Sequence, residues 1–180
     1  MIGQGGDGML VSTCPGCGLT ASRPTNQVLV PAPERHTASD ACWSLYGELL
    51  SRSYTDADYR RVHQLVVDTY TAQHAGPTGR RAVQLVGLCL MTLCLIVEDG
   101  VDPVEGPALH RRMMDRRPDL SWLTPPRQHD LMTVADVLTA QDAAQHQRLV
   151  GEWARQVWEA WTEHHATIRA WNAYALGPAN

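Results

Sequence analysis

Two cysteines three positions apart, Cys14 and Cys17, bracket a Pro-Gly pair in the segment TCPGCGLT. A turn of this composition aims both sulfurs at one point, and its backbone amides stabilise thiolates, so the pair has the form of half a zinc knuckle. Two other readings compete: a thiol redox pair and a plain turn. The redox motif ordinarily opens a helix that follows a strand, and CGLTASRPT has no helical character. A metal ion is therefore the favoured occupant, zinc first, with iron or copper also compatible with a cysteine–histidine set.

One pair fills half a tetrahedron, and the rest must come from Cys42, Cys89, Cys94 and eight histidines. His63 and His74 would share a face of one helix. Eleven residues at ~1.5 Å each is roughly 16 Å along the axis, too far for both to reach one ion. Folding the segment before Tyr54 back on the one after it sets Cys42 level with about residue 67, nearer His63 than His74. The predicted ligands are thus Cys14, Cys17, Cys42 and His63. Four protein ligands make a closed structural site, and three with a water make a catalytic one. In the catalytic case Asp68 or His74 is the expected general base and Tyr70 a proton donor, with His63 and His164 lining the same pocket. Cys89 and Cys94 lie in an apolar run and read as packed core thiols.

The elements that must hold these residues are helical. From Ser39 onward SDACWSLYGELLSRSY carries an apolar stripe behind a possible N-cap. TDADYRRVHQLVVDTYTAQHAGP opens with Thr55 and Asp58 at capping-box spacing and stops at Gly76-Pro77. Residues 79 to 98 are apolar nearly all round and form a buried central helix; Gln84 and the stop at Glu98-Asp99-Gly100 leave the run short of a bilayer span. A short helix closed by Pro118, a brief one over 133–139, and a final helix of about thirty residues bearing Trp153, Val157, Trp161, His164 and Ile168 complete the set. Residues 1–38 are rich in Gly, Pro, Ser and Thr, with at most a short strand at NQVLVPAP. The expected fold is an all-α bundle of five to six helices over 39–172, in a single domain with an irregular N-terminal flap that a metal ties down.

Composition limits the function. The 180 residues carry 15 basic and 19 acidic side chains, net −4, and no lysine. That balance argues against nucleic acid as a partner, and the missing amine excludes Schiff-base and P-loop chemistry. GQGGDG near the start resembles a phosphate loop only in composition. Five cysteines and no secretory pattern predict a reducing, cytoplasmic setting and no membrane partner.

Taken in order, CPGCG, ACWSLYGELLSRSY, VHQLVVDTYTAQHAGP, LMTLCLIVEDG, SWLTPP, TVADV and VWEAWTEHHATIRAW resemble a bacterial family, common in actinobacteria, known as a domain of unknown function. The resemblance covers about Cys14 to Trp171. It implies roles for Cys14, Cys17, Cys42-Trp43, His63, Asp68, Tyr70 and Gln73-His74, with Ala75 standing where the family has Pro and Cys89 where it has His. It implies no activity. The sequence therefore supports a zinc-binding helical protein in two versions: a small metalloenzyme acting on an unidentified small molecule, or a zinc-stabilised module that binds a partner protein. A Cys14/Cys17 redox protein is the third reading.

Overall fold

The chain turns helical at Ser39 for a local reason. Ser39 has an extended backbone, and its hydroxyl accepts the Cys42 amide, which starts α1 (Asp40–Arg52). The computed structural model describes residues 8–177, so the GQGGDG segment lies outside the described residues but for its last glycine. The described chain is mostly helical, with one small sheet.

Asp56, and not Thr55, caps the second helical segment: its carboxylate accepts the Asp58 amide at 2.7 Å. The resulting α2 (Ala57–Arg60) lasts one turn. The helix then breaks at Arg61-Val62 and resumes as α3 (His63–Gln73). The expected continuous helix is therefore two pieces, and the residues spent in the break shift every position after it.

α4 (Arg80–Val97) is buried without interruption from Val86 to Cys94. It is long and apolar enough to cross a membrane by length and composition alone, yet that apolarity is used inside the molecule, against α3, α7 (Ala143–Ala160) and α8 (His165–Leu176). α5 (Gly106–Arg116) follows a 3-10 turn at Pro103–Glu105 and ends at Arg117, whose left-handed backbone (φ 47°) stops the helix just before Pro118. α6 (Val134–Leu138) begins with a capping box between Thr133 and Asp136.

The expected thirty-residue C-terminal helix is α7 and α8, separated by a 3-10 turn at Thr162–His164. Side chains add to the backbone bonds on the last carbonyls of α7: the Thr162 hydroxyl donates to the Glu159 carbonyl, and His165 Nε2 lies 2.9 Å from the Trp158 carbonyl, which also accepts the Trp161 amide. Trp153 and Trp161 are fully buried, as a core role requires. Trp153 Nε1 donates to Gln73 Oε1 at 3.0 Å, and Gln73 Nε2 donates to the Met132 carbonyl at 2.9 Å. The end of α3 is thereby locked to α7 and to the loop before α6.

The strand expected at NQVLVPAP is absent: residues 27–33 have no regular structure, and Pro31 and Pro33 offer no ladder amides. The strands are instead β1 (Met9–Thr13) and β2 (Thr20–Pro24), antiparallel, with Thr13 opposite Thr20. They flank the two cysteines, so the knuckle sits at the tip of a hairpin.

One buried group gives the fold an acid sensitivity. His146, on α7, is fully buried beside Tyr59, and neither ring nitrogen has a hydrogen-bond partner among the described residues. Burial, with the charge of Arg52 adding to it, lowers its pKa from 6.5 to about 4. The folded state holds the neutral ring and the unfolded chain takes a proton sooner. Stability is thus full above pH 6.5 and is lost as pH falls toward about 4, at about 1.4 kcal/mol for each pH unit of that window. His146→Leu should flatten this loss; urea melts at pH 7 and pH 4.5 measure it, and equal losses in both proteins would refute it.

Candidate metal centre

Four side chains from three separate segments converge beneath the hairpin tip: Cys14, Cys17, Cys42 and His74, whose ligand atoms all lie within 4.8 Å of one another. All are buried, Cys17 at 2% exposure and the others at 0%. Each is placed by local structure. The Cys14 amide donates to the Leu19 carbonyl and the Gly18 amide to the Cys14 carbonyl, which closes the turn. Gly18 takes a left-handed backbone (φ 77°) that suits glycine. Cys42 stands in the first turn of α1, its amide donating to the Ser39 hydroxyl. His74 ends α3, with its amide and Nδ1 both on the Tyr70 carbonyl at 2.9 Å. That bond holds the proton on Nδ1 and leaves Nε2 free to face the sulfurs.

The spacings are those of ligands around a common centre. Cys17 Sγ and Cys42 Sγ are 3.8 Å apart, and Cys42 Sγ is 3.4 Å from His74 Nε2. Around a tetrahedral zinc with Zn–S ~2.3 Å and Zn–N ~2.05 Å, the corresponding edges are about 3.8 and 3.6 Å. The protonation balance points the same way. Hydrogen bonds from Cys17 and then Cys42 hold Cys14 far below the usual thiol range. The neighbouring thiols, Cys14 first, push Cys42 far above it, and Cys14 likewise raises Cys17 to about 12. One negative charge is tolerated and the next two are resisted. A divalent cation at the centre would remove that conflict, and the donor set is consistent with zinc.

Surrounding groups hold the site shut. Thr37 donates its amide to the His74 carbonyl and its hydroxyl to the Ala75 carbonyl, at 3.0 and 2.8 Å, while His36 bridges Ala75. Tyr70 stacks between Tyr46 and His74 and turns its hydroxyl toward Cys42 Sγ at 3.8 Å. His129 Nε2 lies 3.3 Å from the Pro15 carbonyl.

His63 is not at this cluster. It begins α3, eleven residues from His74, and packs edge-on against Tyr54. The separation of the two histidines by the helical rise holds, but the fold-back selects the other one. Cys42 and His74 are symmetric about residue 58, inside α2, so the bend lies about four residues later than counting from Tyr54 implied. The break at Arg61-Val62, concealed in a sequence with good helical period, is the physical reason.

The pocket expected from His63, Asp68, Tyr70, His74 and His164 does not form. Tyr70 and His74 are one turn apart and face the sulfurs. Asp68 is two residues from Tyr70, about 200° around the helix, and faces away. It is fully buried with Gln64, Cys89 and His110. His164 sits in the 3-10 turn with Nε2 at 2.9 Å from the Thr124 carbonyl. His110 was not singled out in the sequence, where it stands between Leu109 and two arginines; its signal is the four-residue spacing from Gly106 on one face of α5.

Residues 12–162 match the model of a family of unknown function (DUF5946). No curated protein matches the chain, and no solved structure does.

Gly16 tests the packing of the centre. A Cβ there would overlap the Thr37 carbonyl oxygen and come within 2.7 Å of His74 Cδ2. Gly16→Ala should weaken metal binding at least tenfold in competition with a chelator, whereas Gly47→Ala, with nothing within 4 Å of its Cβ, should leave it unchanged. Equal affinities in the two variants would refute the close fit.

Proposed function

We propose that this chain, which belongs to the DUF5946 family of unknown function, is a zinc-binding helical protein in which the Cys14–Cys17–Cys42–His74 centre is structural. The observation that carries this reading is the burial of four ligands whose donor atoms all lie within 4.8 Å of one another. A tetrahedron filled by protein keeps no position for water or substrate, so His74 is here a ligand and not a base. Tyr70 supports Cys42 and is not an acid acting on a substrate. The work done by the ion is mechanical: it joins the hairpin to the start of α1 and the end of α3, which already pack on each other through Tyr46 and Tyr70. Cys14 and Cys17 serve as two of these ligands and not as a redox pair.

A second feature bears on what the held flap is for. Met9, Val11, Val28 and Val30 of the flap are large apolar side chains with 57% to 95% exposure, a range shared outside the flap by Tyr54 and Tyr174. This favours the protein-binding version of the sequence reading over the enzymatic one at this centre, since a metal that fixes the flap also fixes that surface.

Purified protein should carry zinc that a strong chelator removes slowly. Cys14→Ser should lose it, with cleavage between residues 18 and 38 accelerated at least tenfold in limited proteolysis. A loss of about 3 kcal/mol would lower Tm by roughly 10 °C in a chain of this size. Unchanged metal content and unchanged proteolysis in that variant would overturn the reading.

A further inference from the structure

The opposite face of α3 carries a second convergence. Gln64 and Asp68 are one turn apart there. Gly106, at the start of α5, has no room for a side chain: a Cβ would come within 2.6 Å of Gln64 Cγ. This close approach brings the next turn of α5, with His110, onto Asp68, while α4 supplies Cys89 from below. One ligand atom each from Asp68, Cys89 and His110 lies within 4.8 Å of the other two.

The hydrogen bonding here is incomplete in an informative way. Gln64 Nε2 donates to Asp68 Oδ1 at 2.9 Å, but Asp68 Oδ2, on a side chain with no exposure, has no partner among the described residues. His110 Nε2 is 3.2 Å from Asp68 Oδ1 yet has no hydrogen-bond partner among the described residues. A buried Asp–His pair formed for stability would align them, since an unpartnered buried carboxylate oxygen is costly. A buried carboxylate oxygen and an imidazole nitrogen that both lack hydrogen-bond partners, next to a buried thiol, form a set that could hold one ion. The separation of 3.2 Å matches the edge of about 3.3 Å expected between oxygen and nitrogen ligands ~2.05 Å from a tetrahedral metal.

We propose that Asp68, Cys89 and His110 form a second metal site, specific for a divalent transition ion such as zinc. On binding, the Cys89 thiol releases its proton to solvent. The thiolate and the carboxylate then neutralise the two charges of the ion, and His110 binds as the neutral ring. Carboxylate, thiolate and imidazole together select a borderline transition metal over magnesium or calcium. Three protein ligands leave a coordination position for water or a small ligand, unlike the closed centre on the other side of α3. The site also has a route to solvent. His110 keeps 17% of its side chain exposed. Gln64, the hydrogen-bond partner of Asp68, lines a cleft of about 430 Å³ with His63, Arg60 and Pro107.

The test counts metal per chain. Full-length protein is saturated with Zn²⁺ under reducing conditions, desalted and measured by native mass spectrometry. Wild type should carry two zinc ions, and His110→Ala and Asp68→Asn one each. Because His110 is partly exposed, its variant keeps the measurement decisive even where Asp68→Asn unfolds. Co²⁺ placed in the second site should show a single-thiolate charge-transfer band that Cys89→Ser abolishes. One zinc per chain in wild type, unchanged by His110→Ala, would overturn the proposal and leave the Cys14–Cys17–Cys42–His74 centre standing. Loss of one zinc in His110→Ala with no loss in Cys14→Ser would support the proposal and remove the other centre.

Discussion

Three thiols and an imidazole meet in the interior of this protein, with ligand atoms within 4.8 Å of one another. Each sulfur that ionises makes the next ionisation harder, and each that stays protonated leaves a weak donor among other weak donors. A cation among them would end the conflict, and on the proposed reading it would also hold the rest of the N-terminal region in place. The hairpin β1–β2 is two strands of five residues, marginal alone in water. Residues 27–33 have no regular structure. The tip turn and the short pairing of 36–37 with 74–75 hold this region to a bundle that already has a core of its own.

Helix α3 is the element both convergences share. Its eleven residues are mostly buried, from Asp68 to Gln73 without exception, so it has no solvent face on which to place polar groups. Tyr70, Gln73, His74 and Asp68 must each find partners inside the molecule. Gln73 spends both ends of its amide on Trp153 and Met132. His74 divides its ring between a carbonyl and the sulfurs. Asp68 is the member whose needs are met only in part. A helix of low amphipathicity wrapped by α4, α7 and α5 thus concentrates buried polar chemistry, and its two sides differ in accessibility. The sulfur-rich side is sealed by the hairpin, and the Asp68 side borders a cleft.

Much of the fold was legible in residue spacing. The stripe in α1, the apolar α4, the Ser39 cap and the brief helix after residue 133 follow from period and capping chemistry, which act within a few residues. The half-site at Cys14 and Cys17 was legible for the same reason, since a Pro-Gly turn between two cysteines determines its own geometry. Cys42 as a third member was within reach because it lies three residues after a helix start. The breaks were not legible. Arg61-Val62 and Thr162–His164 interrupt sequences of good helical period, because tertiary contacts and side-chain bonds to carbonyls outweigh the few tenths of a kcal/mol per residue by which propensity favours continuation.

The sequence alone determined that the chain is mostly helical, that its first turn presents two thiols to one point, and that His63 and His74 cannot serve the same ion. Tertiary structure alone decided which histidine meets the thiols. That choice depends on how many residues the connection after α1 consumes, a distance set by packing and not by local preference. It also decided that Asp68 and Tyr70, two residues apart, belong to different sites, and that Cys89 and His110, twenty-one residues apart, meet at one. Helical geometry carries information along a helix for a turn or two. Beyond that, the relative placement of side chains is fixed by where helices cross, here by a glycine on α5 that lets it press against α3.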